Sequence, residues 1–242
     1  MLATLVIRDV ERATPRATLV RIDLDGAAFD YAPGQAVLVA PHGQPQRRPY
    51  SIASAPEDAK RSGVIDLLVG TDPISDGAHG APAEGETTWN FDPAPGDRVD
   101  VEGPFGSFTF PESPAERRFL FVAGGTGIAP LRAMLRHALG IPHDRIGLFY
   151  SARTPDDFAF QDELRALAEA GAIDLRQTVT RDAGERWTGS RGRAKAESLR
   201  ELVDGPETLC FVCGPLALVA ATSTMLEALD IAPNRIRMEE WQ

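Results

Sequence analysis

Four consecutive residues in the first half of the chain have side chains suited to binding a phosphorylated aromatic ligand. They are Arg48, Pro49, Tyr50 and Ser51. An arginine binds phosphate through two parallel hydrogen bonds, a tyrosine ring stacks on a flat ligand, and a serine hydroxyl donates to a ring nitrogen. A strand with one surface arginine and one core tyrosine has the same sequence, so this segment alone leaves both interpretations open.

A glycine-rich segment in the second half is a candidate phosphate site. Residues 124–130 read Gly-Gly-Thr-Gly-Ile-Ala-Pro and lie between an apolar run and an amphipathic stretch. Glycines after a buried strand let the backbone approach a phosphate, and the helix that follows offers free N–H groups at the positive end of its dipole. Pro130 stands where the usual dinucleotide fingerprint has a third glycine, so a purely structural turn is the alternative.

Two cysteines, Cys210 and Cys213, form a Cys-x-x-Cys motif that suggests redox or metal chemistry. Residues three apart on a strand point to opposite faces, so we expect that these thiols do not meet. The histidines are scattered along the chain, and we predict no metal site. Cys210 is predicted to lie in the core, whereas Cys213 falls at the carboxyl end of a strand, where open α/β sheets bind ligands.

The composition argues against several classes of protein. The 242 residues carry a net charge of −10, which argues against a nucleic-acid partner, because such affinity comes largely from Lys and Arg on phosphates. Two cysteines are too few for a disulfide scaffold or for a 2Fe–2S cluster held by the protein. The sequence has no run of ~20 apolar residues and no signal-peptide pattern, so we expect a cytoplasmic protein without a membrane span.

The elements that must position these residues change character near the middle of the chain. The first half contains short runs, several with the period of two that is typical of half-buried strands, separated by turn residues. These runs are 4–10, 18–24, 35–40, 49–54, 64–70 and 98–102. Short, regularly spaced strands predict an antiparallel β-barrel or sandwich.

The second half alternates apolar strand runs with helical stretches. Strands are predicted at 119–123, 146–151, 173–180, 208–213 and 235–238, and helices at 130–139, about 157–168 and 215–229. Alternation of this kind predicts βαβ units and a parallel sheet. We therefore predict two domains, at residues 1–114 and 115–242.

Six short motifs follow one another in a fixed order. They are Arg48-Pro49-Tyr50-Ser51, Gly85-Glu86-Thr87-Thr88, Gly103-Pro104-Phe105-Gly106, Gly125–Pro130, Cys213-Gly214-Pro215 and Glu239-Glu240-Trp241. In this order and spacing they resemble the ferredoxin–NADP reductase superfamily of flavoproteins. The resemblance implies an antiparallel Greek-key β-barrel that binds FAD and an α/β domain that binds NAD(P)H, with hydride passing from the nicotinamide C4 to the flavin N5.

The resemblance also implies which residues hold FAD. They are Arg48, Pro49, Tyr50, Ser51, Gly85, Thr87, Thr88 and Trp241. Arg48 would hold the pyrophosphate, Tyr50 would cover the isoalloxazine, and Ser51 would bond near N5. The turn from Gly85 to Thr88 would take the remaining phosphate charge. Trp241, where the family more often has Tyr or Phe, would stack on the isoalloxazine and act as a lid over the place where nicotinamide lands; a surface tail is the alternative.

A second set of residues is implied to hold the nicotinamide nucleotide. They are Gly125, Thr126, Gly127, Pro130, Cys213, Gly214 and Pro215. The glycine-rich turn would carry the pyrophosphate, and Cys213 would press against the nicotinamide. Glu239 would supply and place a proton. Ser51, Cys213 and Glu239 are therefore the candidate catalytic residues.

The choice between NADH and NADPH should depend on the ends of the second and third parallel strands. Enzymes that bind the ribose 2′-hydroxyl place an Asp or Glu there. This chain instead has cationic and hydroxyl side chains, namely Arg153, Thr180, Arg181 and Arg191. They suit a 2′-phosphate, which favours NADPH; solvated surface charge is the alternative.

We predict a stand-alone reductase that passes electrons singly from its flavin to a separate acceptor, such as a ferredoxin, a flavodoxin or an oxygenase component. The alternatives are a free-flavin reductase or diaphorase, which treats flavin as a substrate, and a non-catalytic nucleotide-sensing subunit on the same fold. The acidic overall charge complicates the docking of an acidic ferredoxin, although a local basic patch could still form from five arginines, namely Arg47, Arg117, Arg118, Arg132 and Arg136.

Overall fold

The computed structural model contains two six-stranded sheets and describes residues 2–70, 92–181, 184 and 187–241. The first sheet is built from β1 (Leu2–Thr14), β2 (Ala17–Asp23), β3 (Ala36–Pro41), β4 (Arg48–Ser51), β5 (Val64–Gly70) and β6 (Arg98–Phe105). Its order is β4-β3-β6-β1-β2-β5, and its pairings are antiparallel. An antiparallel bridge between Ile52 and Leu67 joins the two ends of the sheet. Strand β6 returns to lie between β1 and β3, as in a Greek key, so the predicted barrel is confirmed.

The second sheet is parallel, as predicted. Its strands are β7 (Arg118–Gly124), β8 (Arg145–Ala152), β9 (Asp174–Val179), β10 (Ser190–Arg191), β11 (Leu209–Pro215) and β12 (Ile236–Trp241), in the order β10-β9-β8-β7-β11-β12. The α-helices among the described residues are α1 (Pro56–Ser62), α2 (Ile128–Leu139), α3 (Gln161–Glu169), α4 (Ala196–Arg200) and α5 (Leu216–Glu227). Helix α1 belongs to the barrel half, and the other helices cover the parallel sheet. None of the helices in the described part of the chain is long and apolar enough to cross a membrane.

Several elements differ from the sequence prediction for physical reasons. Helix α2 begins at Ile128 because Pro130, which lacks an N–H, is tolerated within a first helical turn. Helix α3 begins only at Gln161, because a capping box between Thr154 and Asp157 forms a separate 3-10 turn before it. The elements α1, α4 and β10 are too short to show a clear period in the sequence.

The last strand extends further than predicted. Strand β12 continues beyond Met238 because Glu239, Glu240 and Trp241 pair with residues of β11. Strand β12 is an edge strand of the sheet, and the backbone of Trp241 lies in this strand rather than in a tail that follows it. If Trp241 acts as a lid, its side chain must do so while its backbone stays paired with β11.

The parallel sheet separates two apolar cores. Cys213 lies in the core that contains Tyr150 and α2, whereas Cys210 lies in the core that contains Val219 and Leu226 of α5. Both cysteines are buried. The prediction that these thiols face opposite sides of the sheet is therefore confirmed.

Charged side chains join the barrel to the parallel-sheet half. Arg16, between β1 and β2, donates to both carboxylate oxygens of Asp157 at 2.7 Å. Arg132, in α2, donates from Nη1 to the Ala53 carbonyl at 2.8 Å and to Asp66 at 3.1 Å. These contacts place the end of β4 next to the start of α2.

Candidate active site

The hydroxyl of Ser51, at the end of β4, is buried and has no hydrogen-bond partner among the described residues. Ser54 is equally buried, but its Oγ accepts from the Asp66 N–H at 3.1 Å and lies 3.2 Å from the Tyr31 hydroxyl. Leaving a buried hydroxyl without a partner costs about 1–3 kcal/mol. The Ser51 hydroxyl is therefore placed to bond a group that the described chain does not supply.

Arg48 and Tyr50 precede Ser51 on the same strand and pair with Val39 and Val37 of β3. Both side chains are half-buried. Burial raises the pKa of Tyr50 to about 12, and the nearby charge of Arg48 acts in the opposite direction. The phenol is therefore neutral at physiological pH. A cation, a neutral aromatic ring and a hydroxyl follow one another along this strand.

The glycine-rich segment folds into a tight turn after β7. Residues Gly125–Gly127 form a 3-10 turn directly before α2. Gly125 has a φ of +55° and is exposed, with open space where a side chain would stand. Gly127 lies so close to β11 that a Cβ on it would be 2.4 Å from the carbonyl oxygen of Cys213. Glycine suits both positions, one for its conformation and the other for its lack of a side chain.

Cys213 and Glu239 are neighbours on the adjacent strands β11 and β12. The Cys213 Sγ is fully buried and lies 4.0 Å from Oε2 of Glu239. Burial raises the pKa of Glu239 to about 7. A carboxyl group with this pKa exchanges its proton near neutral pH, as a proton donor or acceptor must. The predicted catalytic pair is thus brought together.

The side chains predicted to choose the coenzyme lie at one edge of the parallel sheet. Thr180 and Arg181 follow β9, and their backbone N–H groups donate to two carbonyls of the neighbouring strand. The acceptors are Ala152, the last residue of β8, and Arg153, the residue after it. Arg191 lies on β10, which pairs with β9, and its Nη2 donates to the Gly184 carbonyl at 2.9 Å. Arg153, Arg181 and Arg191 are all exposed.

Some predicted site residues cannot be placed. Gly85, Thr87 and Thr88 lie outside the described residues, and for Trp241 only the backbone position is described. One residue at the site was missed by sequence reasoning: Tyr150, whose hydroxyl donates to the Gly125 carbonyl at 3.1 Å. The sequence signal that could have found Tyr150 is its hydroxyl, a polar group within an otherwise apolar strand run.

Each of the five arginines that could have formed a basic patch has an acidic neighbour. Arg117 pairs with Asp144 and Arg118 with Glu207, at 2.8 and 2.9 Å. The remaining pairs are Arg47 with Glu102, Arg132 with Asp66 and Glu163, and Arg136 with Asp58 and Glu163. These arginines therefore carry little uncompensated positive charge.

Two family models match the two halves of the chain. Residues 5–110 match an oxidoreductase FAD-binding domain, and residues 121–224 match an oxidoreductase NAD-binding domain. Fold and site therefore define an FAD-dependent NAD(P)H oxidoreductase. A ferredoxin–NADP reductase B from Sorangium cellulosum is 37% identical over 230 residues, covering 90% of this chain and 88% of that protein. The chain belongs to the ferredoxin–NADP reductase superfamily.

Other similar proteins are longer than this chain, and the name of one of them specifies NADH rather than NADP. One component of the Na(+)-translocating NADH-quinone reductase from Psychrobacter arcticus is 30% identical over 208 residues, which is 82% of this chain and 49% of that protein. The chain thus spans about half the length of this relative. The crystal structure of an Amycolatopsis cytochrome P450 reductase superposes with a TM-score of 0.81 at 25% identity, covering 99% of this chain and 69% of that one.

The residues present fit both cofactors of this family. The Ser51 hydroxyl lacks a partner among the described residues, and Gly125, in the glycine-rich turn, is exposed with open space where a side chain would stand. FAD, when bound, accepts a hydride and releases the electrons one at a time. The chain itself supplies a hydrogen-bonding hydroxyl, a neutral phenol ring, a backbone cradle and a carboxyl group that can hold a proton.

Proposed function

We propose that the protein transfers hydride from NADPH to bound FAD and passes the electrons singly to a separate acceptor protein. The observation that carries this proposal is that the glycine-rich turn of the nucleotide half lies against the barrel half, next to Ser51. The Gly125–Gly127 turn is called the phosphate turn below. The methyl group of its Thr126 lies 3.8 Å from where a Cβ on Gly70 of the barrel would stand. Arg132, one turn into α2, bonds the carbonyl of Ala53, just beyond Ser51. The phosphate turn therefore lies against the barrel.

The site residues on β4, after β7, on β11 and on β12 have proposed tasks within this arrangement. Arg48 would bind the FAD pyrophosphate, Tyr50 would cover the isoalloxazine, and the Ser51 hydroxyl would bond its edge. The turn after β7 would take the NADPH pyrophosphate on its backbone N–H groups. Cys213 would fix the depth at which the nicotinamide rests, and Glu239 would hold a proton beside it.

The charges near the adenosine end support NADPH rather than NADH. Three exposed arginines lie on or just after neighbouring strands at one edge of the sheet: Arg153, Arg181 and Arg191. The buried carboxylate in this region, Asp157, binds Arg16 and Thr154 through its oxygens. It is therefore not free to accept a bond from a ribose 2′-hydroxyl. The positive charge of these three arginines suits a 2′-phosphate.

The acceptor is proposed to be a ferredoxin, a flavodoxin or an oxygenase component. The support comes from the names of relatives, which include a ferredoxin–NADP reductase and a cytochrome P450 reductase. Two cysteines leave the chain without the ligands for an iron–sulfur cluster of its own. A separate redox protein would then receive the electrons.

An anaerobic titration of the purified protein tests this function. We expect a yellow protein whose flavin absorbance bleaches with one equivalent of NADPH and more slowly with NADH, and then recovers as a ferredoxin is reduced. Arg181→Ala should narrow the difference between the coenzymes. A colourless protein that needs added flavin would instead identify a free-flavin reductase. Nucleotide binding without bleaching would identify a nucleotide-sensing subunit.

A further inference from the structure

Tyr150 lies beneath the phosphate turn and has no part in the roles described above. Its ring is fully buried in β8, in the apolar core that α2 and α3 cover. Its hydroxyl donates to the Gly125 carbonyl at 3.1 Å and accepts from the Ala159 N–H at 3.2 Å. Burial raises the pKa of Tyr150 far above its usual value, so the phenol keeps its proton and stays a donor.

The contact fixes the orientation of one peptide plane. The carbonyl of Gly125 and the N–H of Thr126 belong to the same trans peptide, so they point in opposite directions. Tyr150 and the N–H of Ile128 hold this carbonyl towards the protein. The Thr126 N–H is therefore directed away from the core. Gly125 and Thr126 are both exposed, and Gly125 adopts a φ of +55° that permits this orientation without strain.

The hydroxyl of Tyr150 is itself held in place. Its second partner, Ala159, follows the 3-10 turn that Asp157 caps, and Asp157 is bound by Arg16 of the barrel. The ring meets Phe158 edge-on, with their centroids 5.0 Å apart. Tyr150 therefore has little freedom to release the Gly125 carbonyl.

We propose that Tyr150 is a positioning residue for pyrophosphate: it holds the Gly125–Thr126 peptide so that the Thr126 N–H already faces the phosphate oxygens before the nucleotide arrives. This inference rests on the proposed function, because it assumes that a nicotinamide dinucleotide binds at this turn. A donor that is oriented in advance does not have to be ordered during binding, so less of the binding energy is lost. Tyr150 therefore contributes to the affinity for the pyrophosphate of the nucleotide and not to the affinity for its adenosine end.

The test compares two ligands on two tyrosine variants of the FAD-loaded protein. NADP⁺ contains the pyrophosphate, whereas adenosine 2′-monophosphate contains only the adenosine end. For Tyr150→Phe we expect the Kd of NADP⁺ to rise about 10-fold by calorimetry, with that of adenosine 2′-monophosphate unchanged. Tyr31→Phe is the matched control, because it removes another buried hydroxyl that donates to a backbone carbonyl, that of Ser54, in the barrel. It should change neither Kd.

Each outcome decides a separate question. If the wild-type protein binds neither NADP⁺ nor NAD⁺, the proposed function fails; if it prefers NAD⁺, the ligand pair becomes NAD⁺ and adenosine. If it binds and Tyr150→Phe binds equally well, or if both ligands weaken together, the role of Tyr150 is refuted and the function stands. A measurement on the wild type does not depend on how the variant folds: inorganic pyrophosphate should shift the Thr126 amide resonance. A Thr126 amide that does not respond overturns the proposal.

Discussion

Two equally buried serines near the end of β4 differ in their hydrogen bonds. Ser54 is bonded to Tyr31 and to the backbone of Asp66, whereas the Ser51 hydroxyl has no partner in the described chain. The protein therefore bears the cost of burying the Ser51 hydroxyl when the ligand is absent. Such a cost is typical of a residue kept for binding rather than for folding.

Replacement of each serine by alanine should separate these roles. In the FAD-free protein, Ser51→Ala should leave the free energy of unfolding unchanged or slightly raised, whereas Ser54→Ala should lower it by about 1 kcal/mol. FAD affinity should fall for Ser51→Ala and change little for Ser54→Ala. Urea unfolding and a flavin-fluorescence titration measure the two quantities. An equal loss of stability in both variants would contradict the assignment of Ser51 to the ligand.

Glu239 should make stability depend on pH. Its folded pKa of about 7 lies above the ordinary value of 4.5. Between these values the folded protein binds more protons than the unfolded chain, so its free energy of unfolding decreases as pH rises. The stabilisation is complete below pH 4.5 and is lost as pH rises through 7.

We expect this loss to be about 2 kcal/mol after allowance for solvent screening, and Glu239→Gln should abolish it. The measurement is urea unfolding of the FAD-free protein at several pH values across this range. The exposed neighbour provides the control: Glu240→Gln should keep the wild-type slope. A Glu239→Gln protein with an unchanged slope would show that another group titrates.

At the scale of elements, helix α2 connects the two halves of the site through one buried charge. The guanidinium of Arg132 binds Asp66 on β5 and Glu163 on α3, at 3.1 and 2.8 Å, and lies 4.3 Å from the centre of the Phe160 ring. Only 11% of its side chain is exposed. Removing one member of such a buried cluster leaves uncompensated charge behind.

Arg132→Met should therefore lower the free energy of unfolding by about 3–5 kcal/mol. The exposed pair of Arg117 with Asp144 serves as the comparison, and Arg117→Met should cost less than about 1 kcal/mol. Thermal and urea unfolding measure both. A similar loss of unfolding free energy in the two variants would show that burial of the Arg132 cluster does not increase its contribution to stability.

Sequence patterns predicted the elements whose signal is local. The alternation at 18–24 lies in β2 up to Asp23, and the apolar run at 119–123 lies within β7. Cys213 was correctly placed near the carboxyl end of a strand. The contacts of Tyr150 and Arg132 could not be predicted in this way. Each depends on residues far away in the chain, such as Gly125 or Ala53, that meet only after folding. The ionic partners of the expected basic patch were missed for the same reason.

At the scale of the whole molecule, net charge should govern the rate at which the reductase associates with an acceptor protein. The net charge is −10, and the arginines expected to form a basic patch are paired with acids. An acidic acceptor is therefore repelled at long range, and salt screens that repulsion over ~8 Å at physiological ionic strength.

The rate constant for electron transfer to an acidic ferredoxin should accordingly rise a few-fold as ionic strength increases from about 0.01 to 0.15 M. A basic acceptor protein should show the opposite trend, which controls for effects of salt on the reductase itself. Stopped-flow mixing of the reduced enzyme with each acceptor measures both rates. A rate with ferredoxin that falls with salt would contradict this electrostatic picture.

Two phenylalanines between the sheets determine where this molecule can be recombined with its relatives. Phe108 and Phe110 precede the second sheet, yet both are buried against Phe211 in its core. A domain boundary after residue 114 stays a prediction, and a chimera joined there would import foreign rings into that aromatic cluster. A crossover between Phe105 and Phe108 would keep each core with the residues that evolved beside it. Exchange of flavin domains should therefore succeed more often at the earlier junction.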